Sequence, residues 1–245
     1  MAKAKRGLLL SVLTLLIAIA VTATSTYAWF AANSSVQATN MQLTLKTNTS
    51  FLVIGANATA PATVDDIGSN VSVAATASSA EVLPARYDAA TSKWQYAAGT
   101  SYTDGAASGG TYTDIGSSAL GEYAIKYTFY VGLASNSESD KANLRVAGLT
   151  AASGTANGTF LPAVSALVSC TPASGTATVI DFEDVNTNTV KGTNDAILAT
   201  TVTRATVYTI EVWVYVNGDN TLVKSSNATT AALGSFTVSM TLTVD

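Results

Sequence analysis

The chain has 245 residues, 48% of them hydrophobic and only 11% charged, with a net charge of −4; its polar surface must therefore come from Thr, Ser, Asn and Gly rather than from ions. It holds no histidine and a single cysteine, Cys170, which excludes Ser-His-Asp and Cys-His catalysis, zinc sites built from His or Cys, and any internal disulfide. Three of the twelve basic residues (Lys3, Lys5 and Arg6) crowd the N-terminus, leaving nine against sixteen acidic ones beyond it, a poor match for nucleic acid or an anionic lipid surface. The expectation is a non-enzyme without a cofactor.

In chain order, Lys3, Lys5 and Arg6 precede an apolar run from Gly7 to Ala23, closed by Thr24, Ser25 and Thr26. A charged start, an apolar run and then small residues form the layout of a secretory signal peptide. The run has 17 residues, short against the roughly 20 of a stable membrane span. Cleavage after Ala28, with Thr26 two places before it, competes with cleavage after Ala23, and retention as a membrane anchor stays open. Lys5-Arg6-Gly7 followed by Leu8-Leu9-Leu10 also resembles the leader of type IV-like prepilins, which keep the apolar helix as a filament core. Val12 stands where most of those proteins have Glu.

Residues Thr24 to Val36 read TSTYAWFAANSSV. This segment resembles the boundary of exported Firmicutes proteins processed by the SipW-type signal peptidase, the group that includes the TasA and camelysin fibre proteins. The resemblance implies that Thr26, Tyr27 and Ala28 form the cleavage motif and that Trp29 and Phe30 open the mature chain. It covers about the first 45 residues well, and the run VYTIEVWVYVNGDNTLV near the C-terminus is similar to the ending of many such proteins.

From Val36 to Leu45 apolar residues fall at alternate positions (Val36, Ala38, then Met41, Leu43, Leu45), with a phase slip near Asn40 that predicts a bulge. Phe51 to Ile54 is a short buried-strand pattern. Residues 55–120 are loop-rich, with a hairpin expected between Tyr87 and Tyr96 and a loop from Gly99 to Gly110. The clearest strand is Tyr123 to Leu133, with Tyr123, Ile125, Tyr127, Phe129, Val131 and Leu133 on one face. Shorter strands are expected at Leu144 to Leu149, Val164 to Cys170 and Ala177 to Phe182. In Val207 to Val216, residues Tyr208, Ile210, Val212, Val214 and Val216 point inward, and Asn217-Gly218 has the residues of a tight hairpin turn. Phe236 to Val244 alternates again.

Short strands at 10 to 20 residue intervals, without βαβ spacing, predict an all-β fold. The expected architecture is an antiparallel jelly-roll-like β-sandwich over residues 29–245, preceded by an N-terminal apolar leader helix over residues 1–28. The resemblance to TasA-type proteins implies a jelly roll as well.

Three groups of residues are candidate sites. Asp181, Glu183 and Asp184 form an oxygen-rich run that a calcium ion would accept, although it lacks the glycine-pinned spacing of a defined calcium loop and reads more simply as a solvated acidic loop. Trp213 and Tyr215, outward on a polar face, read either as a subunit contact or as a second packed face. Cys170 lies in an apolar strand and reads as a buried thiol. The mature N-terminus, with Trp29, Phe30 and the strand bearing Val36, Met41, Leu43 and Leu45, cannot bury itself alone. Adding it to the sheet of the next copy builds a head-to-tail fibre, the donor-strand arrangement that the TasA resemblance implies. The expected function is thus a secreted, extracellular or cell-surface filament subunit. Its partners would be itself and, during export, a signal peptidase, with the membrane touched only by the leader. A type IV-like pilin, or a monomeric surface or carbohydrate-binding module using Trp94, Tyr96 and Trp213, remain the alternatives.

Overall fold

The computed structural model describes residues 37–38, 41–43, 52–57, 59–67, 72–73, 82–98, 102–103, 106–107, 111–137, 139–153, 158–185, 187, 189–191, 195–223 and 235–245. These contain no α-helix; helical geometry is confined to three 3-10 turns, at Val64–Asp66, Leu120–Glu122 and Gly158–Ala163. The first strands are β1 (Gln37–Ala38), β2 (Met41–Leu43), β3 (Leu52–Gly55), β4 (Ser72–Val73), β5 (Arg86–Asp88) and β6 (Lys93–Ala98). Next come β7 (Tyr102–Thr103), β8 (Ala106–Ala107), β9 (Thr111–Asp114), β10 (Ala124–Leu133), β11 (Lys141–Ser153) and β12 (Val164–Pro172). The last are β13 (Thr178–Asp184), β14 (Thr189–Val190), β15 (Ile197–Val202), β16 (Tyr208–Val216) and β17 (Ser235–Thr243).

Two six-stranded sheets carry the fold. One runs β15-β11-β17-β2-β4, with β1 also on β17; the other runs β14-β13-β12-β16-β10-β3. A third, small sheet runs β5-β6-β9. The alternation read from the sequence becomes the ladder at the centre of the second sheet. There β16 is paired on both sides, with Ile210 opposite Phe129 of β10 and Cys170 of β12. The inward set Tyr208, Ile210, Val212, Val214 and Val216 is buried throughout, as side chains two residues apart on one pleat require. From the first sheet, Leu144, Leu149, Val238, Met240 and Leu242 join the same continuous core. The two large sheets are thus a sandwich of mainly antiparallel strands around one apolar interior.

Bulges reconcile some irregular patterns with this core. In β11 the buried residues are Leu144, Val146 and then Leu149, a step of three where two is regular. The ladder to β17 shifts register between Val146 and Gly148, and that extra residue restores the inward phase. The slip expected near Asn40 has a counterpart: Ala38 pairs with Phe236 and Gln42 with Ser239, so four steps on the N-terminal segment match three on β17.

The strand expected at Leu144 to Leu149 is longer in the structure, because pairing to its neighbours continues past the apolar residues that announced it, and the one expected at Ala177 to Phe182 starts at Thr178 and runs on to Asp184 through its pairing with β14. Ile197–Val202 (β15) and the paired Tyr102–Thr103 and Ala106–Ala107 are strands where none was expected. The turn at Asn217-Gly218 exists but makes no tight hairpin. The neighbours of β16 are β10 and β12, and the chain turns instead through an Asn217 side chain that accepts from the Asp219 N–H at 2.9 Å. Gly218 donates its N–H to Ala85 O at 2.8 Å, and Val223 is drawn into the core.

A satellite core forms on the outer face of β10 from Val64, Ile67, Tyr130 and Val207. Its turn is closed by a capping box in which Asp66 Oδ2 accepts from the Thr63 N–H at 3.1 Å and the Thr63 hydroxyl at 2.7 Å. Gly132 permits the close approach: a Cβ there would stand 2.8 Å from both Thr206 O and Val64 Cγ2.

Candidate functional site: the β17 seam and the outer aromatic layer

Two features stand apart from ordinary sandwich packing. The first is the seam at β17. Among the described residues every other ladder between strands is antiparallel, but β1 and β2 both run parallel to β17, with Gln37 opposite Ser235 and Leu43 opposite Met240. On its far side β2 pairs antiparallel with β4, Met41 opposite Val73. A segment near the start of the chain therefore lies between the last strand and β4 in the first sheet. Met41 and Leu43 are on this seam by backbone pairing. Thr26, Tyr27, Ala28, Trp29, Phe30, Val36 and Leu45 lie outside the described residues, as does the expected leader helix. Among the described residues no helix is long and apolar enough to cross a membrane.

The second feature is the outer face of the second sheet. The small β5-β6-β9 sheet, drawn from the stretch expected to be loop-rich, lays Trp94 across it. Trp94 meets Tyr215 edge-on at 5.0 Å and Trp213 at 6.2 Å, and Tyr87 meets Trp94 edge-on at 5.5 Å. Two residues along, Tyr96 stacks on Tyr123 at 5.6 Å. Spacing by two on β6 puts both aromatics on the face that meets the sandwich. Outside, Asp114 accepts from Lys93 and from the Gln95 amide, and Arg86 lies 3.1 Å over the Tyr112 ring. Lys126 pairs with Glu211 and sits 5.0 Å from the Trp213 ring centre.

For Tyr215 this layer favours the second of its two readings, while Trp213 stays half-buried. Tyr215 is only 3% exposed and is covered by its own chain, so its ring belongs to a second packed face rather than to a subunit contact. Trp94, Tyr96 and Trp213 are half-buried, with Trp94 set against Trp213 and Tyr215 and Tyr96 against Tyr123.

Asp181, Glu183 and Asp184 do not converge. Asp181 is 8% exposed, and its Oδ1 accepts from the buried Tyr215 hydroxyl at 2.9 Å. Glu183 is exposed and Asp184 half-buried; alternation along β13 turns Asp184 the opposite way. Among the described residues no three of His, Cys, Asp or Glu are grouped to hold a metal ion. What the sequence concealed is Asp181 itself, an acid under cover. An acidic residue between buried Ile180 and Phe182 was the available signal.

Burial raises the Asp181 carboxyl above its ordinary 3.8, opposed less strongly by the Tyr215 hydroxyl and the Lys191 ammonium. A folded value above the unfolded one means that this group's stabilising contribution is full below the unfolded value and lost as pH rises through the folded one. Asp181→Asn keeps an acceptor for Tyr215 without the charge. Its melting temperature should exceed that of the wild type near pH 7 and converge with it towards about pH 3, read by scanning fluorimetry.

Cys170 is 1% exposed, and burial pushes its thiol up to about 12. It should give no reaction with a disulfide reagent in the folded protein and one thiol per chain in denaturant.

No family model, curated protein or solved structure matches this chain.

Proposed function

We propose that the chain is a secreted structural subunit that polymerises head-to-tail into an extracellular filament, its N-terminal strand completing the first sheet of the next copy. The observation that carries this reading is the parallel seam at β17. Removing β1 and β2 leaves β17 and β4 with facing unpaired backbone groups, a slot that a strand from any copy satisfies equally well. Parallel ladders at this slot, where the other strand ladders among the described residues are antiparallel, are what an inserted strand produces when it does not continue the local winding. Contact between one end of a copy and a slot elsewhere on the next does not close on itself, and so extends. On this reading the sandwich is jelly-roll-like, the apolar N-terminal run is an export leader, and the protein has no catalytic role.

The test is electron microscopy and sedimentation of the purified exported chain, with and without a synthetic peptide covering residues 29–45. Filaments in its absence, and dose-dependent slowing of their growth in its presence, are the expected result. A chain that stays monomeric at every concentration defeats the proposal.

A further inference from the structure

We propose that the cleft between the outer face of β13 and the β5–β6 hairpin binds one hydroxylated sugar ring, gripped by Asp181 and Lys191 through two neighbouring hydroxyls. The cleft measures about 410 Å³ and is lined by Tyr87, Val179, Ile180 and Val190 on its apolar side, with Asp181, Lys191 and Ser92 among them. That size and that mixture, mostly apolar with a few convergent polar groups, are those of small-molecule sites.

The polar pair identifies the ligand. Asp181 Oδ1 is satisfied by Tyr215, but Oδ2 is buried and accepts no hydrogen bond. The Lys191 ammonium stands 3.8 Å from Oδ2, beyond hydrogen-bonding range, on a side chain 49% exposed. A buried acceptor without a donor is costly, so the cleft is incomplete as it stands. A cationic ligand would be repelled by Lys191 and an anionic one by Asp181. A neutral vicinal diol suits both: one hydroxyl donates to Oδ2 while its neighbour accepts from Nζ. Because Oδ2 lies below the surface, the diol reaches it as the half-exposed Lys191 side chain rotates outward.

The apolar wall fits the other aspect of such a ring. Val179, at 39%, is the exposed large hydrophobic residue among those described, and it borders this cleft. It offers the C–H face of a pyranose an apolar contact, with Tyr87 alongside. Tyr87 is held edge-on by Trp94, Trp94 by Tyr215, and the Tyr215 hydroxyl holds Asp181. One connected set of side chains therefore fixes both the wall and the carboxylate before any ligand arrives, which lowers the ordering cost of binding. The cleft lies on β13, in the sheet that does not contain β17, so occupancy leaves the assembly seam untouched.

The experiment is saturation-transfer NMR followed by calorimetry on the full chain. The probes are glucose, galactose, mannose and N-acetylglucosamine with their trimers, and butylamine and acetate as charged controls. At least one sugar should bind, the charged controls should not, and Asp181→Asn and Lys191→Met should each weaken binding by about tenfold or more, because a charge-assisted hydrogen bond becomes neutral in the first variant and is lost in the second. Circular dichroism and filament formation should match the wild type in both variants, which separates failure here from failure of the filament reading. Absence of binding by every sugar overturns the proposal. So does wild-type affinity in both variants, or binding of butylamine in place of the sugars.

Discussion

Replacing Ile210 with Asp is expected to remove a large part of the chain's stability and to lower its urea midpoint sharply. Ile210 is fully buried and sits on β16, which is paired on both sides, opposite Phe129 and Cys170. A carboxylate there has no cation within the core and no water. Relief by a one-residue slip would send the whole inward set of β16 to the outer face and bring Glu211 inside. The cost is at least about 4 kcal/mol, against a total stability of roughly 5 to 15 kcal/mol for a natural domain. Thr209→Asp, one residue away on the outer face, should cost no more than about 1 kcal/mol. Urea denaturation followed by circular dichroism measures both. Equal midpoints for the two variants would mean that the inward face of β16 has been misassigned.

Removing residues 29–43 is expected to abolish filaments while leaving a folded, soluble monomer. The segment contributes two short ladders at the edge of β17, whereas β17 is held on its other side by the long antiparallel pairing with β11, from Arg145 opposite Thr243 to Ser153 opposite Phe236. The buried residues Val238, Met240 and Leu242 keep that support. The trimmed chain should therefore retain one cooperative unfolding transition and near-native circular dichroism, with no polymer by electron microscopy. Loss of cooperative unfolding would instead assign the strand to its own sheet. Filaments that persist would move the contact away from this seam.

Much of this architecture is written in local pattern. Alternation in Ile125 to Leu133 and in Tyr208 to Val216 determined two strands and their inward faces, because a pleat with period two leaves one consistent way to bury five apolar residues. The phase slip near Asn40 likewise announced an irregular pairing of that segment with its neighbour. The lack of histidine, with a single cysteine, ruled out whole classes of chemistry without any structure.

The tertiary structure decided what pattern cannot encode. Trp213 and Tyr215 alternate with buried residues as any surface pair would; only the arrival of Trp94, more than a hundred residues earlier in the chain, covered Tyr215 and left Trp213 half-buried beside it. Asn217-Gly218 has hairpin chemistry, but the strand that could complete the hairpin belongs to the other sheet. Asp181 read as one carboxylate in an acidic loop until the Tyr215 hydroxyl and the β5–β6 hairpin enclosed it. In each case the residue's meaning depends on a partner distant in sequence. Local periodicity tells which way a side chain points, and long-range topology alone tells what it meets there.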